Sequence, residues 1–148
     1  MRKTLILPAL LLAAGLAALA APAAAMDVKV HNATPGALTI TMTDSKCVLP
    51  SAYGPVTLPP GQTAQVLVEV MSDGSCAVYH SRLTLRLDLA APGGFTDTVS
   101  VGVQKPFSGF ENLEVPRQTT GPHGMLVNGS SDQVTATLEV GCPTCKPD

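Results

Sequence analysis

The stretch Leu83-Thr84-Leu85-Arg86-Leu87-Asp88-Leu89 alternates a leucine with a polar residue at every step. Successive side chains of an extended chain point to opposite faces of a sheet. The stretch therefore predicts a β-strand with one leucine face in a core and one polar face in water.

The same two-residue alternation recurs along most of the chain after Met26, and no segment there shows a sustained helical period of 3.6 residues. Turn-forming sequences, such as Pro59-Pro60-Gly61 and Ala91-Pro92-Gly93-Gly94, separate the alternating segments. The further segments that alternate in this way are 28–31, 38–43, 64–70, 99–103 and 134–140. This pattern predicts an all-β protein.

About seven short, half-buried strands favour an antiparallel two-sheet sandwich of the immunoglobulin-like kind, with a small closed β-barrel as the alternative. Asn128-Gly129-Ser130 follows the apolar residues 125–127 and precedes the alternating segment 134–140, so it predicts the turn of a terminal hairpin. The alternation changes parity at Ser81 and Arg82, which predicts a bulge or bend there.

Residues 1–25 have the order of a secretory signal peptide. Arg2 and Lys3 precede an apolar stretch rich in Leu and Ala, and Ala23-Ala24-Ala25 supplies the small residues of a cleavage site. The apolar stretch is shorter than the roughly 20 residues that a membrane-spanning helix needs. We therefore expect an exported chain that begins near Met26, forms one domain over residues 26–148 and contains no membrane span.

The charge of the mature chain argues against nucleic acid as a partner. The whole chain has nine basic and 11 acidic residues, and the signal segment removes two basic residues, so the mature charge is (9 − 2) − 11 = −4. Seven scattered cations cannot neutralise a phosphate backbone. The partner we expect is instead a protein or a cell-surface ligand.

Four cysteines, Cys47, Cys76, Cys142 and Cys145, form an even set in a chain expected to be exported, which predicts disulfides. We favour a Cys47–Cys76 bridge and a structural Cys142–Cys145 bridge, and crossed pairing stays open. A redox-active C-x-x-C is the alternative, but it needs a lowered thiol pKa, and Lys146 is the only adjacent cation.

A metal site is a second alternative. His123 and Met125 lie two residues apart on a constrained loop, and His31 or His80 would complete a set of soft ligands for copper or zinc. The Cys-His-Met order of a blue-copper site is absent, and only one C-x-x-C unit exists for a structural zinc.

The segment from about 104 to 124 lacks clean alternation and contains three prolines together with Phe107, Phe110 and Leu113. A segment of this length is either an edge of the sandwich or a functional loop, and connecting loops often carry binding residues. We interpret these three apolar residues as a binding loop.

Sequence signatures of hydrolases and nucleotide-binding proteins are missing: there is no G-x-S-x-G, no H-E-x-x-H and no P-loop. Nothing predicts a bound cofactor. The hypothesis that follows is an exported, disulfide-stabilised β-sandwich that is not an enzyme and acts by binding or as a structural component.

The intact mass of the exported protein tests these expectations together. We expect a chain that begins at Met26 and lacks one hydrogen for each of its four cysteines. Alkylation before reduction should add nothing. Free thiols would favour the redox alternative, and a heavier native mass that matches copper or zinc would favour the metal site.

Overall fold

The structure is a computed structural model, and it describes residues 25–49, 52–77, 80–106 and 111–146. The signal-peptide prediction lies outside these residues except for Ala25. The strands are β1 Ala25–Asn32, β2 Ala37–Lys46, β3 Val48–Leu49, β4 Val56–Leu58, β5 Thr63–Val70, β6 Ser81–Ala91, β7 Phe95–Lys105, β8 Gln118–Thr120, β9 Leu126–Ser131 and β10 Thr135–Gly141.

The strands form two sheets, which confirms the two-sheet sandwich and excludes the closed barrel for the described residues. One sheet has six strands in the order β3-β5-β1-β10-β9-β8, and the other has four in the order β4-β2-β6-β7. Seven strands have six or more residues, whereas β3, β4 and β8 have two or three. The six alternating segments correspond to six of these long strands, and the seventh, β9, buries only one of its residues and has no such alternation.

All strand pairs are antiparallel except one. β1 runs parallel to β10, with Val30 opposite Leu138. This pair places the first and the last described strands side by side in the middle of the six-stranded sheet. The segments that follow β1 and β10 therefore leave the sandwich at the same end.

The core lies between the inner faces of the two sheets. The four leucines of the opening stretch have at most 2% of their surface exposed, and they pack with valines of β1, β5, β7 and β10. Burying a Leu or Val side chain contributes roughly 1.5–3 kcal/mol. Hydrophobic burial along the alternating strands is thus the main force that holds the two sheets together.

The predicted turn at Asn128-Gly129-Ser130 is wrong, because these residues lie inside β9. The chain turns instead between β9 and β10, where the Asp132 carboxylate accepts hydrogen bonds from the amides of Val134 at 2.8 Å and Thr135 at 2.7 Å. These backbone hydrogen bonds, the larger from Thr135, lower the pKa of the Asp132 carboxyl from its usual value. An aspartate that bonds to the amides two and three residues on initiates a turn as effectively as Asn-Gly.

The bulge or bend predicted at Ser81 and Arg82 is not found there, and the neighbouring strand has a bulge instead. β6 pairs with β7 without interruption from Ser81 to Ala91. The register shift falls on the neighbouring strand β2, between Met42 and Asp44. This bulge bends the end of the four-stranded sheet.

Two disulfides are present, and they have the pairing that the sequence favours. Cys47 bonds to Cys76, and Cys142 bonds to Cys145. The first joins the end of β2 to the short 3-10 helix Gly74–Ala77, and the second closes a tight loop after β10. The described residues contain no helix with the length and apolar character that a membrane crossing requires.

The two bridges should differ in their contribution to stability. Loop closure over the 29-residue separation of Cys47 and Cys76 is worth about 3–4 kcal/mol. The three-residue separation of Cys142 and Cys145 gives about 2 kcal/mol by the same relation. We expect urea unfolding to show a larger loss for C47S/C76S than for C142S/C145S. The reverse order would contradict the loop-closure account.

Candidate functional site

A groove with a volume of about 640 Å³ lies at the bulged end of the four-stranded sheet. Its floor includes Thr84 and Gly102, which are opposite each other on β6 and β7. A Cβ added at Gly102 would meet no atom within 4 Å. The missing side chain of this glycine therefore leaves empty space above the floor of the groove. The groove is therefore a recess in the outer face of the sheet rather than a cavity in the core.

One wall of the groove is an extended segment, residues 113–117, which we call the strap. The strap begins at Leu113, whose side chain is 2% exposed and belongs to the core. The Leu113 amide donates to the Asp132 carbonyl at 2.7 Å, and the Ser131 hydroxyl donates to the Leu113 carbonyl. These contacts fix the start of the strap to the β9–β10 turn.

The next residue of the strap is fixed to the other sheet. Glu114 and Gln104 exchange two backbone hydrogen bonds, of 2.8 Å from the Glu114 amide and 3.0 Å from the Gln104 amide. Gln104 lies near the end of β7, which is an edge strand of the four-stranded sheet. The strap thus spans the gap between the two layers.

The far end of the strap returns to β9. The Gly129 amide donates to the Arg117 carbonyl at 3.0 Å. A side chain at Gly129 would clash with the Pro116 carbonyl oxygen. This close backbone approach, and not a turn, accounts for the glycine in Asn128-Gly129-Ser130.

Polar side chains on the groove walls are held in hydrogen-bonded pairs. The Arg82 guanidinium lies 3.2 Å from the Asp44 carboxylate. The Gln104 side-chain amide donates to Glu114 Oε2 at 3.1 Å and lies 2.9 Å from Nδ1 of His80. These pairs orient the charged groups toward the groove, and the guanidinium keeps further N–H donors for a ligand.

Asp97, which has no part in the sequence-based predictions, organises a second cluster at the opposite end of β7. Its side chain is fully buried, and its carboxylate accepts hydrogen bonds from the amides of Thr98 at 2.9 Å, His123 at 3.1 Å and Met125 at 2.8 Å. Gly121 packs so closely on this carboxylate that a side chain there would clash with it. The sequence does contain a sign that Asp97 is buried. It lies two residues before the first of the alternating buried valines of β7, so its side chain points to the same face.

The structure does not bring the four metal-ligand candidates together. His31 contacts Thr63 at 3.0 Å on the six-stranded sheet, and His80 contacts Gln104 at the groove end of the sandwich. His123 lies against the start of β7, at the other end from His80, and Met125 is 0% exposed. Among the residues that the structure describes, no group of three or more His, Cys, Asp or Glu side chains is arranged to hold a metal ion.

The C-x-x-C loop packs on the segment that Asp97 holds. The Thr144 hydroxyl donates to the His123 carbonyl at 3.3 Å, and Cys142 is 8% exposed. This position gives the Cys142–Cys145 bridge a structural contact, and its redox activity stays a prediction.

Of the three residues interpreted as a binding loop, Phe107 and Phe110 lie outside the described residues. Leu113 anchors the strap in the core, so its side chain is not on the surface. The residues of the segment from about 104 to 124 that line the groove are Gln104 and 113–116.

No protein-family model matches the chain, and no curated protein matches it significantly.

Gly129 tests the position of the strap. We expect Gly129→Ala to lower the free energy of unfolding by about 1–3 kcal/mol, because the new methyl group would push against the Pro116 carbonyl. Gly141→Ala on β10 is the matched control, since a side chain there meets nothing within 4 Å. Urea unfolding of both variants gives the comparison, and equal stabilities would contradict this strap position.

Proposed function

We propose that the protein is an exported, non-enzymatic binding module whose ligand lies in the groove beside the strap. The observation that carries the proposal is the construction of the groove. Its wall is hydrogen-bonded to both sheets, and its floor is kept open by Gly102. A recess that is fixed in this way needs no rearrangement before it binds, which lowers the cost of association.

The size of the groove is that of a ligand site. A volume of about 640 Å³ falls in the range of roughly 300–1,000 Å³ that is typical of ligand sites. Val115 and Pro116 offer apolar contacts on the strap, and Thr84 offers a hydroxyl on the floor. The partner we propose is a protein or another ligand at the cell surface that combines an apolar contact with a polar group.

The charged groups supply specificity for such a partner. Arg82 provides guanidinium donors for a carbonyl or carboxylate, whereas Asp44 and Glu114 provide acceptors for an amine or amide. Both signs in one groove favour a partner with a matching arrangement of charge over a partner of one sign.

Phe107 and Phe110 extend this proposal. In the sequence they lie between β7 and the strap. Aromatic residues, Phe among them, are enriched in protein interfaces. We propose that they enlarge the contact surface next to the groove.

The two disulfides support an oxidising compartment for this function. Together with the signal-peptide pattern of residues 1–25, they support the periplasm or the extracellular space as the site of action.

Photo-crosslinking tests the groove by capturing whichever partner occupies it. A photoreactive phenylalanine analogue at Gly102 would start from the groove floor, where an added Cβ meets no atom within 4 Å, and its ring would lie in the groove. The same analogue at Thr41 is the control, because Thr41 is on the outer face of the same sheet but does not line the groove. We expect a discrete crosslinked protein from position 102 in intact exporting cells and none from position 41.

A second variant tests the contribution of Phe107 and Phe110 separately from that of the groove. F107S/F110S retains Leu113 and hence the core anchor of the strap. We expect it to fold and to reduce the crosslink yield at position 102 several-fold. Absence of any crosslink at position 102, or equal products at positions 41 and 102, would contradict the proposal.

The two alternative functions remain proposals with their own tests. A metal-binding protein would retain copper or zinc after purification and dialysis, through His123 and Met125 with His31 or His80. A thiol oxidoreductase would have a Cys142–Cys145 bridge that glutathione reduces and that reacts with alkylating agents at mild pH.

A further inference from the structure

The edge strand β7 is covered at both ends and uncovered in between. At one end Gln104 exchanges two backbone hydrogen bonds with Glu114 of the strap. At the other end the Thr96 carbonyl oxygen lies 3.0 Å from Nδ1 of His123. Residues 100–102 lie between these two contacts, and we call them the uncovered edge.

The two contacts show which backbone groups the uncovered edge presents. The N–H and C=O of Gln104 point to the strap and the C=O of Thr96 points to His123, so both residues face away from β6. Backbone direction alternates along a strand. The N–H and C=O of Ser100 and Gly102 therefore also point away from β6. Within the described part of the chain, no hydrogen bond reaches these four groups.

The groove provides space beside Gly102. In the register of the Gln104–Glu114 pair, Pro116 would lie opposite Gly102. The carbonyl oxygen of Pro116 lies against Gly129 instead, and a proline has no N–H to donate. The strap therefore turns away from β7 after Glu114, and both Gly102 and Pro116 line the groove between them.

The connection between β7 and the strap begins and ends beyond the covered end of the strand. Its two ends, Lys105 and Leu113, flank the Gln104–Glu114 pair on the side away from Gly102. The two hydrogen bonds of this pair thus separate the ends of the connection from the uncovered edge.

We infer that the groove binds an extended peptide segment of the partner protein, which pairs with residues 100–102 of β7 as an added strand. The inference rests on the proposed function and names the chemistry of its partner. The outward groups of alternate residues repeat about every 7 Å along a strand, which is the spacing that the backbone of an extended peptide matches. Strand addition of this kind supplies main-chain hydrogen bonds to the bound peptide. The strap already binds Gln104 of the same edge in this way.

Gly102 and the charges of the groove limit the sequence of the peptide. Because Gly102 has no side chain, a bulky apolar side chain opposite it can lie across β7 toward Thr84 of β6. The charged groups that line the groove are the carboxylates of Asp44 and Glu114 and the guanidinium of Arg82. Two carboxylates against one guanidinium favour at least one basic residue in the peptide.

Peptides selected from a random phage-displayed library on the immobilised exported protein provide the probe. We expect them to combine a large apolar residue with Lys or Arg. We also expect N-methylation to weaken binding by about tenfold or more at alternate peptide positions, because only every second N–H of an added strand faces β7. Failure to select any peptide, or a loss without this alternation, would overturn the inference.

Two variants test the same hydrogen bonds from the side of the protein. Gly102→Pro and Gly102→Ala both add carbon atoms to the groove floor, but only proline removes the outward N–H. Proline is tolerated at an edge strand where the N–H faces solvent, so we expect both variants to fold. Gly102→Pro should bind a selected peptide about tenfold or more weakly than Gly102→Ala. Equal binding by the two variants would contradict strand addition.

The photo-crosslink from position 102 separates failure of this inference from failure of the proposed function. A crosslinked partner together with equal peptide binding by Gly102→Pro and Gly102→Ala would mean that the groove is occupied without strand pairing, and only the inference would fail. No crosslink and no selected peptide would remove both. Slow amide exchange at Ser100 and Gly102 in the free protein would mean that residues of this chain already occupy the uncovered edge, and it would also overturn the inference.

Discussion

The amides of Leu113 and Glu114 point in opposite directions because consecutive residues of an extended chain do so. One donates to the carbonyl of Asp132 beside the six-stranded sheet, and the other donates to the carbonyl of Gln104 in the four-stranded sheet. Two consecutive residues of the strap are therefore hydrogen-bonded to different layers of the sandwich. The wall of the groove and the orientation of Glu114 both depend on this double attachment.

The strap also protects one end of an edge strand of the sandwich from pairing with other chains. β7 is as long as β6, and a bare edge of that length would invite pairing with other chains. The strap occupies one end of this edge, and the segment held by the buried Asp97 carboxylate occupies the other. The strap thus covers one end of this edge and also forms a wall of the groove.

Much of the fold could be predicted from the sequence, since the alternation of Leu83 to Leu89 and its counterparts is a local consequence of burying one face. The function of Gly129 could not, because it depends on the distant Pro116 carbonyl, and Asn-Gly is a strong local signal for a turn. The parallel pairing of β1 with β10 also has no local signature.

The candidate site is predictable only in part. The segment from about 104 to 124 stands out in the sequence by its lack of alternation, and it supplies the strap. Leu113 lines the groove and also anchors the strap in the core with a side chain that is only 2% exposed, and its place in this segment gives no sign of that burial. Asp97 resembles a surface charge, although its parity with the β7 valines marks it as buried. Both residues are held by hydrogen bonds between segments that are distant in the sequence, and the sequence alone does not show these bonds.

Amide hydrogen exchange is the most direct measurement of the double attachment. We expect the amides of Leu113, Glu114 and Gly129 to exchange as slowly as those in the strand ladder of β6 and β7, because all three donate to backbone carbonyls. Exchange of these three amides at the rate of an unstructured peptide, with β6 and β7 still protected, would contradict it. The strap would then not be fixed to either sheet, and the groove would have no wall.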